Sequence, residues 1–413
     1  MSLRLELINT GTELLLGKTL NTHLGFIADS LFPLGIRIAR QLCVPDGAVI
    51  GEALRETFGR ADVVLVTGGL GPTSDDITRE LVAELLGRPL HRNEAIVAGL
   101  QAFFAKRGRP LQPENLRQAD VPEGAEVLEN PFGTAPGLYV PGTADTPHIF
   151  LLPGPPRELR PMIPADVLPR LRAILGDSGA VPETMRQVRL FGVGESEVAN
   201  RLEAGLAALA GLEYGYCARP GEVELRFIGS ESALDAAVAL AKSTFPVELF
   251  AEEDISLSQA VVALLAERNQ TLASAESCTG GLIASRITDV SGSSVVFHRG
   301  IVSYANEAKV ELLGVRAEDL AEFGAVSEPV ARQMAEGALW RANADHAVAV
   351  TGIAGPTGGS GEKPVGTVFL GLASARGSTV VEKHFYPTDR LTFKSMIALR
   401  AIDLVRRRLM GHV

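Results

Sequence analysis

The run Val63–Thr67 (VVLVT), set between Asp62 and the pair Gly68-Gly69, is the most restrictive stretch of the chain. It is too short for a buried helix and too apolar for a strand with one wet face, so it predicts a central strand of a parallel sheet. Leu3–Asn9, Ile36–Val44 and His148–Leu152 read as further strands around it. Asn21–Leu34, Ala48–Gly59, Thr78–Leu86, Asn93–Arg107 and Glu114–Ala119 read as helices. Strand alternating with helix in this way predicts a doubly wound α/β domain over residues 1–170.

Near Arg186 the pattern changes. Gln187–Phe191, Glu213–Cys217, Val223–Ile228 and Val247–Phe250 are strand-like, and Glu195–Ala208 and Ala233–Phe245 helical. The resulting βαββαβ order is the split βαβ motif, so residues 171–251 are expected to form a small α+β domain. Its glycine-rich turn Phe191-Gly-Val-Gly194 is a weak phosphate signal and reads first as a structural turn. Residues 252–413 return to α/β, with an antiparallel hairpin of Thr367–Ala373 and Thr379–Phe385 and a closing helix Leu391–Met410.

Composition narrows the function classes. With 46% hydrophobic and 21% charged residues the chain is an ordinary folded protein, not a disordered one. The net charge of -10 repels a phosphate backbone, which argues against nucleic acid as a direct partner. The run Arg406-Arg-Arg408 falls at a helix C-terminus, where cations complement the helix dipole. Cys43, Cys217 and Cys278 form no CxxC pair, and the N-terminus lacks a signal-peptide pattern. No stretch of 18 apolar residues is present. These features predict a cytoplasmic protein without membrane contact. A homodimer is the default oligomer.

Two loops share the pattern V-T-G-x-x-G-P-T, one from Val66 to Thr73 and one from Val350 to Thr357, each directly after an apolar strand. Ligands bind beyond the carboxyl ends of parallel strands, and glycine there lets backbone N–H groups approach an anion. The first loop, with Gly68, Gly69, Gly71 and Thr73, runs into Asp75 and Asp76 at a helix start. The two acids are either N-terminal caps or the holders of a divalent metal over a bound phosphate. Thr10-Gly-Thr-Glu13, Asn130-Pro-Phe-Gly-Thr134 and Pro153-Gly-Pro-Pro-Arg-Glu158 are further strand-end turns facing the same crevice.

A second site centres on Ser277, between a buried strand and Gly280-Gly281, a turn that lifts a side chain toward helix N–H donors. Ser277 or Thr279 is either a helix cap or, for Ser277, a nucleophile; Cys278 competes for that role. A serine hydroxyl needs a base. The seven histidines sit singly, without triad-like spacing, whereas Lys309, in Tyr304-Ala-Asn-Glu-Ala-Lys309, is able to act as one if burial lowers its pKa.

The motifs AESCTGGL from Ala275, SYANEAK from Ser303, GAVSEP from Gly324, TGIAGPTGG from Thr351 and KPVGTV from Lys363 resemble the C-terminal domain of the CinA family. TGTELLLG from Thr10, GGLGPTSDD from Gly68, NPFGTAPG from Asn130 and LPGPPRE from Leu152 resemble its N-terminal domain, related to molybdopterin-binding proteins. The resemblance implies a nicotinamide-nucleotide amidohydrolase that converts nicotinamide mononucleotide to nicotinate mononucleotide and ammonia without a metal. It implies Ser277 as nucleophile, Lys309 as general base and Tyr304 as a hydroxyl orienting the proton. Thr351, Gly352, Gly355, Thr357, Asn306 and Arg390 would then contact substrate. The strand-to-helix turn itself, apart from the resemblance, offers the N–H groups around Thr279 and Gly280 as candidates to face an oxyanion. For the N-terminal domain the resemblance implies an ADP-ribose pyrophosphatase, with Glu13, Asn130 and the Gly68–Thr73 loop around substrate. Asp75 and Asp76 would hold a divalent metal, and a monovalent cation is a further candidate. The alternative is a domain that only holds a nucleotide or pterin, in a protein acting as an interaction module in DNA uptake.

Overall fold

The computed structural model describes residues 3–176 and 184–413, in two compact units, Met1–Glu183 and Thr184–Val413. In the first unit β1 (Leu5–Thr10), β2 (Ile38–Val44), β3 (Val63–Thr67), β6 (Glu126–Leu128), β7 (Gly137–Val140) and β8 (His148–Leu152) form one sheet in the order β2-β1-β3-β8-β7-β6. β4 (Leu90–Arg92) and β5 (Asp120–Pro122) make a separate antiparallel ribbon. β3 pairs in parallel with both β1 and β8 and is buried along its whole length. Val63 and Leu65 face one core with Leu5 and Phe150, while Val64 and Val66 face the other with Ile8 and Ile149. Burial on both faces is the reason the run shows no polar alternation.

Three expectations are corrected here. At the edge, β7 is antiparallel to β8 and β6 antiparallel to β7, an addition that the alternating pattern did not predict. Its strands are four and three residues long, too short to carry a periodic signal. Glu114–Ala119 lies in a 3-10 helix, Pro113–Ala119, rather than an α-helix. The unit also runs past residue 170: helix Leu168–Leu175 buries Leu171 in its core.

In the second unit β9 (Thr184–Phe191), β10 (Glu213–Arg219), β11 (Glu222–Gly229) and β12 (Leu249–Ala251) form an antiparallel sheet, order β10-β11-β9-β12, with helices Glu195–Ala207 and Glu231–Thr244. Residues 177–183, assigned from sequence to this domain, lie outside the described residues. The glycines before the first helix are structural: Gly192 adopts φ +83° and its N–H donates to Gly221 O at 2.9 Å.

The remainder of the unit carries β13 (Leu272–Glu276), β14 (Phe297–Val302), β15 (His346–Gly352), β16 (Thr367–Ser374) and β17 (Gly377–Phe385), order β14-β13-β15-β16-β17. β13, β14 and β15 are parallel, and β16 and β17 add the expected hairpin. On one face Ala273, Ala275, Ala347 and Ala349 admit helix Glu328–Ala342 closely; on the other Leu272, Val348 and Val350 meet helix Arg390–Leu409. Phe191 joins the latter core, and Arg406 donates to Val247 O at 2.6 Å, so the small sheet and this one pack as one body. The Arg406–Arg408 run is thus absorbed by specific partners: Asp403 for Arg406, Glu382 for Arg407 and Ser374 for Arg408. Among the described residues no helix is long and apolar enough to cross a membrane.

Candidate active site

β13 ends on Glu276, a carboxylate with no exposed surface. The next residues turn through Gly280 (φ +62°) and Gly281 (φ +95°), left-handed positions that favour glycine, into helix Leu282–Thr288. Glu276 Oε2 accepts from Thr279 Oγ1 at 2.7 Å and from the N–H groups of Gly281 and Ile283 at 3.0 Å each. Oε1 accepts from Ala284 N–H at 2.9 Å. The helix start is therefore filled by the chain's own carboxylate, and the free donors expected there are already taken. Thr279 turns its hydroxyl inward, and Gly280 N–H donates to Ser277 O at 3.1 Å. Among the described residues the amides of Cys278 and Thr279 donate to no other residue, whereas Gly280 N–H, expected from sequence as an oxyanion donor, is taken by Ser277 O. Glu276→Gln replaces an acceptor on both oxygens by one carbonyl. It is expected to cost roughly 2–4 kcal/mol in urea unfolding; an unchanged midpoint would show that the turn does not depend on the charge.

Ser277 is half-buried, its N–H extending the β13–β15 pairing to Val350 O at 3.0 Å. Beside it lies Lys309, from helix Asn306–Leu313 after β14, with 1% of its surface exposed. Lys309 Nζ donates to Ser277 Oγ at 3.2 Å, to Ser303 O at 2.9 Å and to Tyr304 O at 3.2 Å. Burial lowers the amine's pKa, partly opposed by Cys278 and Glu307. Once neutral, the amine keeps two N–H bonds to the carbonyls, and its lone pair is left for the Ser277 hydroxyl proton.

Burial pushes the Cys278 thiol up to about 12, which removes it as a competing nucleophile. Four histidines are engaged elsewhere: His23 with Thr67, His148 with Tyr139, His346 with Ser374 and His384 with Glu382.

The rim is built by Tyr304 and Arg390. Arg390 Nη2 donates to Tyr304 Oη at 3.1 Å and Nη1 to Gly355 O at 2.9 Å, tying the loop after β15 to the serine side. Thr351 is buried with its hydroxyl on Ala325 O at 2.7 Å. A Cβ on Gly352 would lie 2.9 Å from Thr367 O, so both residues shape the loop from behind. Asn306 and Thr357 are exposed beside these elements. Sequence reading missed Lys394, one turn after Arg390, whose Nζ would lie 3.6 Å from a Cβ built on Gly280. The spacing of four on one helix was the available signal.

The first unit holds a second cleft, of roughly 400 Å³, at the carboxyl ends of β1, β3 and β8. Glu13, Gly68, Gly69, Gly71, Asp75, Asp76 and Glu158 line it. A Cβ on Gly68 would collide with Thr10, on Gly69 with Thr78 and on Gly71 with Asp76, so each glycine is required by close approach. Asn130 Nδ2 donates to Glu158 Oε2 and to Ala135 O, both at 2.8 Å. Asp76 accepts from Thr73 N–H at 3.0 Å and from the Thr73 hydroxyl. Asp75 is exposed, and the Thr73 hydroxyl lowers its pKa. Two buried atoms lining the cleft, Thr10 Oγ1 and Gln118 Oε1, have no partner, and sequence reading missed Gln118. Among the described residues no three acidic, imidazole or thiol groups converge. Asp75 and Asp76 are thus two carboxylates lining the cleft, without a third such group converging on them among the described residues.

Residues 254–409 match the family described as "CinA C-terminal domain", and residues 6–173 the family described as "Probable molybdopterin binding domain". A CinA-like protein of Akkermansia muciniphila is 50% identical over 400 residues, covering 97% of this chain and 96% of the relative. A CinA-like protein of Anaeromyxobacter sp. is 42% identical over 414 residues, covering 98% and 99%. The crystal structure of the competence/damage inducible protein CihA from Agrobacterium tumefaciens is 42% identical, covering 37% of this chain and 93% of that one, with a TM-score of 0.36.

Proposed function

The chain belongs to the CinA family, and on that footing we propose that its second unit hydrolyses the carboxamide of nicotinamide mononucleotide, giving nicotinate mononucleotide and ammonia. The observation that carries this reading is the contact of a buried, pKa-lowered amine with a serine hydroxyl, Lys309 Nζ to Ser277 Oγ at 3.2 Å. Ser277 Oγ bonds to the carboxamide carbon as its proton passes to Lys309 Nζ. The oxyanion so formed faces the amides of Cys278 and Thr279. Collapse breaks the C–N bond, and Lys309 returns the proton to the departing nitrogen, which leaves as ammonia. Water, deprotonated by the same amine, then splits the acyl ester and releases Ser277 with the carboxylate product. Arg390 and Lys394 are the cations on the rim suited to the single phosphate. The direct test is ammonia release from nicotinamide mononucleotide by the full chain in excess chelator. Turnover that persists supports the reading; no ammonia with or without metal overturns it.

For the first unit we propose hydrolysis of ADP-ribose at its pyrophosphate, with Asp75 and Asp76 holding a divalent ion against the phosphates. The favouring observation is a glycine cradle beside two carboxylates at the ends of β1, β3 and β8. Product analysis with ADP-ribose and Mg²⁺ is expected to show cleavage that falls at least tenfold in Asp75→Ala, the range for a lost charge-assisted contact of about 1.5–3 kcal/mol. Binding without products would favour a module that only holds the nucleotide.

A further inference from the structure

At the opposite end of the sheet from Ser277 the second unit has a cleft of roughly 280 Å³, lined by Arg268, Asp345, His346, Ser374, Arg376 and Arg408. His346 pairs with Leu272 at the start of β13, and Ser277 follows the end of that strand, so about 16 Å of sheet separates the two places. Three guanidinium groups and one carboxylate line it; Arg268 Nη1 donates to Leu409 O, and Asp345 Oδ2 accepts from Thr271 N–H and Oγ1, each at 2.9 Å. Arg376 is exposed, and its side chain makes no hydrogen bond or ion pair among the described residues. Arg408 is fixed by bonds to Ser374 Oγ at 3.0 Å and Ser378 O at 3.1 Å, yet its buried Nε has no partner.

His346 supplies the sharpest sign of a missing ligand. It is 7% exposed, its Nδ1 lies 2.9 Å from Ser374 Oγ, and its buried Nε2 has no partner. Ser374 Oγ accepts from Arg408, and its own proton has one acceptor in reach, His346 Nδ1. With the Ser374 proton donated to Nδ1, the imidazole proton sits on Nε2, a buried donor without an acceptor. An unmet buried donor beside surplus positive charge calls for an anion. The excess of two positive charges matches a phosphomonoester, which carries about −1.5 to −2 near neutral pH. The volume exceeds that of a phosphate ion and leaves room for an organic remainder.

We propose that this cleft is a second anion site of the unit, binding the phosphate of a small phosphomonoester separately from the catalytic turn. The test follows the His346 imidazole by NMR in the full chain, assigned by its loss in His346→Gln, during titration with inorganic phosphate at constant ionic strength. The expected result is a saturable shift whose midpoint rises at least tenfold in Arg376→Ala, a contact of roughly 1.5–3 kcal/mol by its charge. The Arg376 side chain has no partner among the described residues, so this variant keeps the structure. In Arg390→Ala the midpoint is expected to stay unchanged. No shift, a midpoint insensitive to Arg376→Ala, or one that follows Arg390→Ala instead would each overturn the proposal.

Discussion

Ser277→Ala is expected to reduce ammonia release from nicotinamide mononucleotide by on the order of 10³-fold or more, with the fold and ADP-ribose cleavage unchanged. The variant removes one oxygen from a half-buried position. The turn around it is held by bonds that do not use that oxygen: Ser277 N–H to Val350 O, Gly280 N–H to Ser277 O and four donors on Glu276. Loss of activity would therefore report loss of the nucleophile, not of the turn. The assay is ammonia release together with circular dichroism and a denaturation midpoint. Undiminished deamidation in Ser277→Ala would remove the covalent route altogether.

Lys309→Arg is the second large effect, expected at about 10²–10⁴-fold, the usual contribution of a general base. Arginine keeps the positive charge but stays protonated, so it has no lone pair for the serine proton. The pH profile supplies an independent readout. The lysine's folded-state pKa lies below its ordinary 10.5, so the active neutral amine accumulates as pH rises through that lowered value. The wild-type rate should climb as pH rises through that lowered value and level off before an unperturbed lysine would titrate. The same shift links to stability with a definite sign. The contribution is fully present above the ordinary lysine value and is lost as pH falls through the folded one. Lys309→Met should flatten that dependence, measured as the urea midpoint against pH. Wild-type activity in Lys309→Arg would mean that the proton goes elsewhere.

Legibility in the sequence followed burial symmetry. Val63–Thr67 and His148–Leu152 coincide with β3 and β8 because both faces of each are covered and the apolar signal is unbroken. The turn at Ser277 was visible from its strand and glycine pair. Glu276 was not read as structural, since an acid at a strand end normally reads as solvated, and its partners are main-chain groups that leave no mark on composition. Lys309 sits in a segment, Asn306-Glu-Ala-Lys309, that looks like a wet helix start; its chemistry made it a candidate base, but its burial leaves no mark on the local pattern. The basic cleft was invisible for a related reason: Arg268, Arg376 and Arg408 come from three separate segments.

If the second unit deamidates as proposed, the carboxylate of Glu276 also bears on how the turn releases product. Deamidation turns a neutral carboxamide into an anion at the very spot where the reaction took place. An open helix end would grip that new charge and stall the cycle. Glu276 takes the N–H groups of Gly281, Ile283 and Ala284 at the start of helix Leu282–Thr288, so on the proposed reading those donors are not free to hold the product acid. Nicotinate mononucleotide should consequently inhibit more weakly than the amide binds, and an inhibition constant well below KM would contradict this.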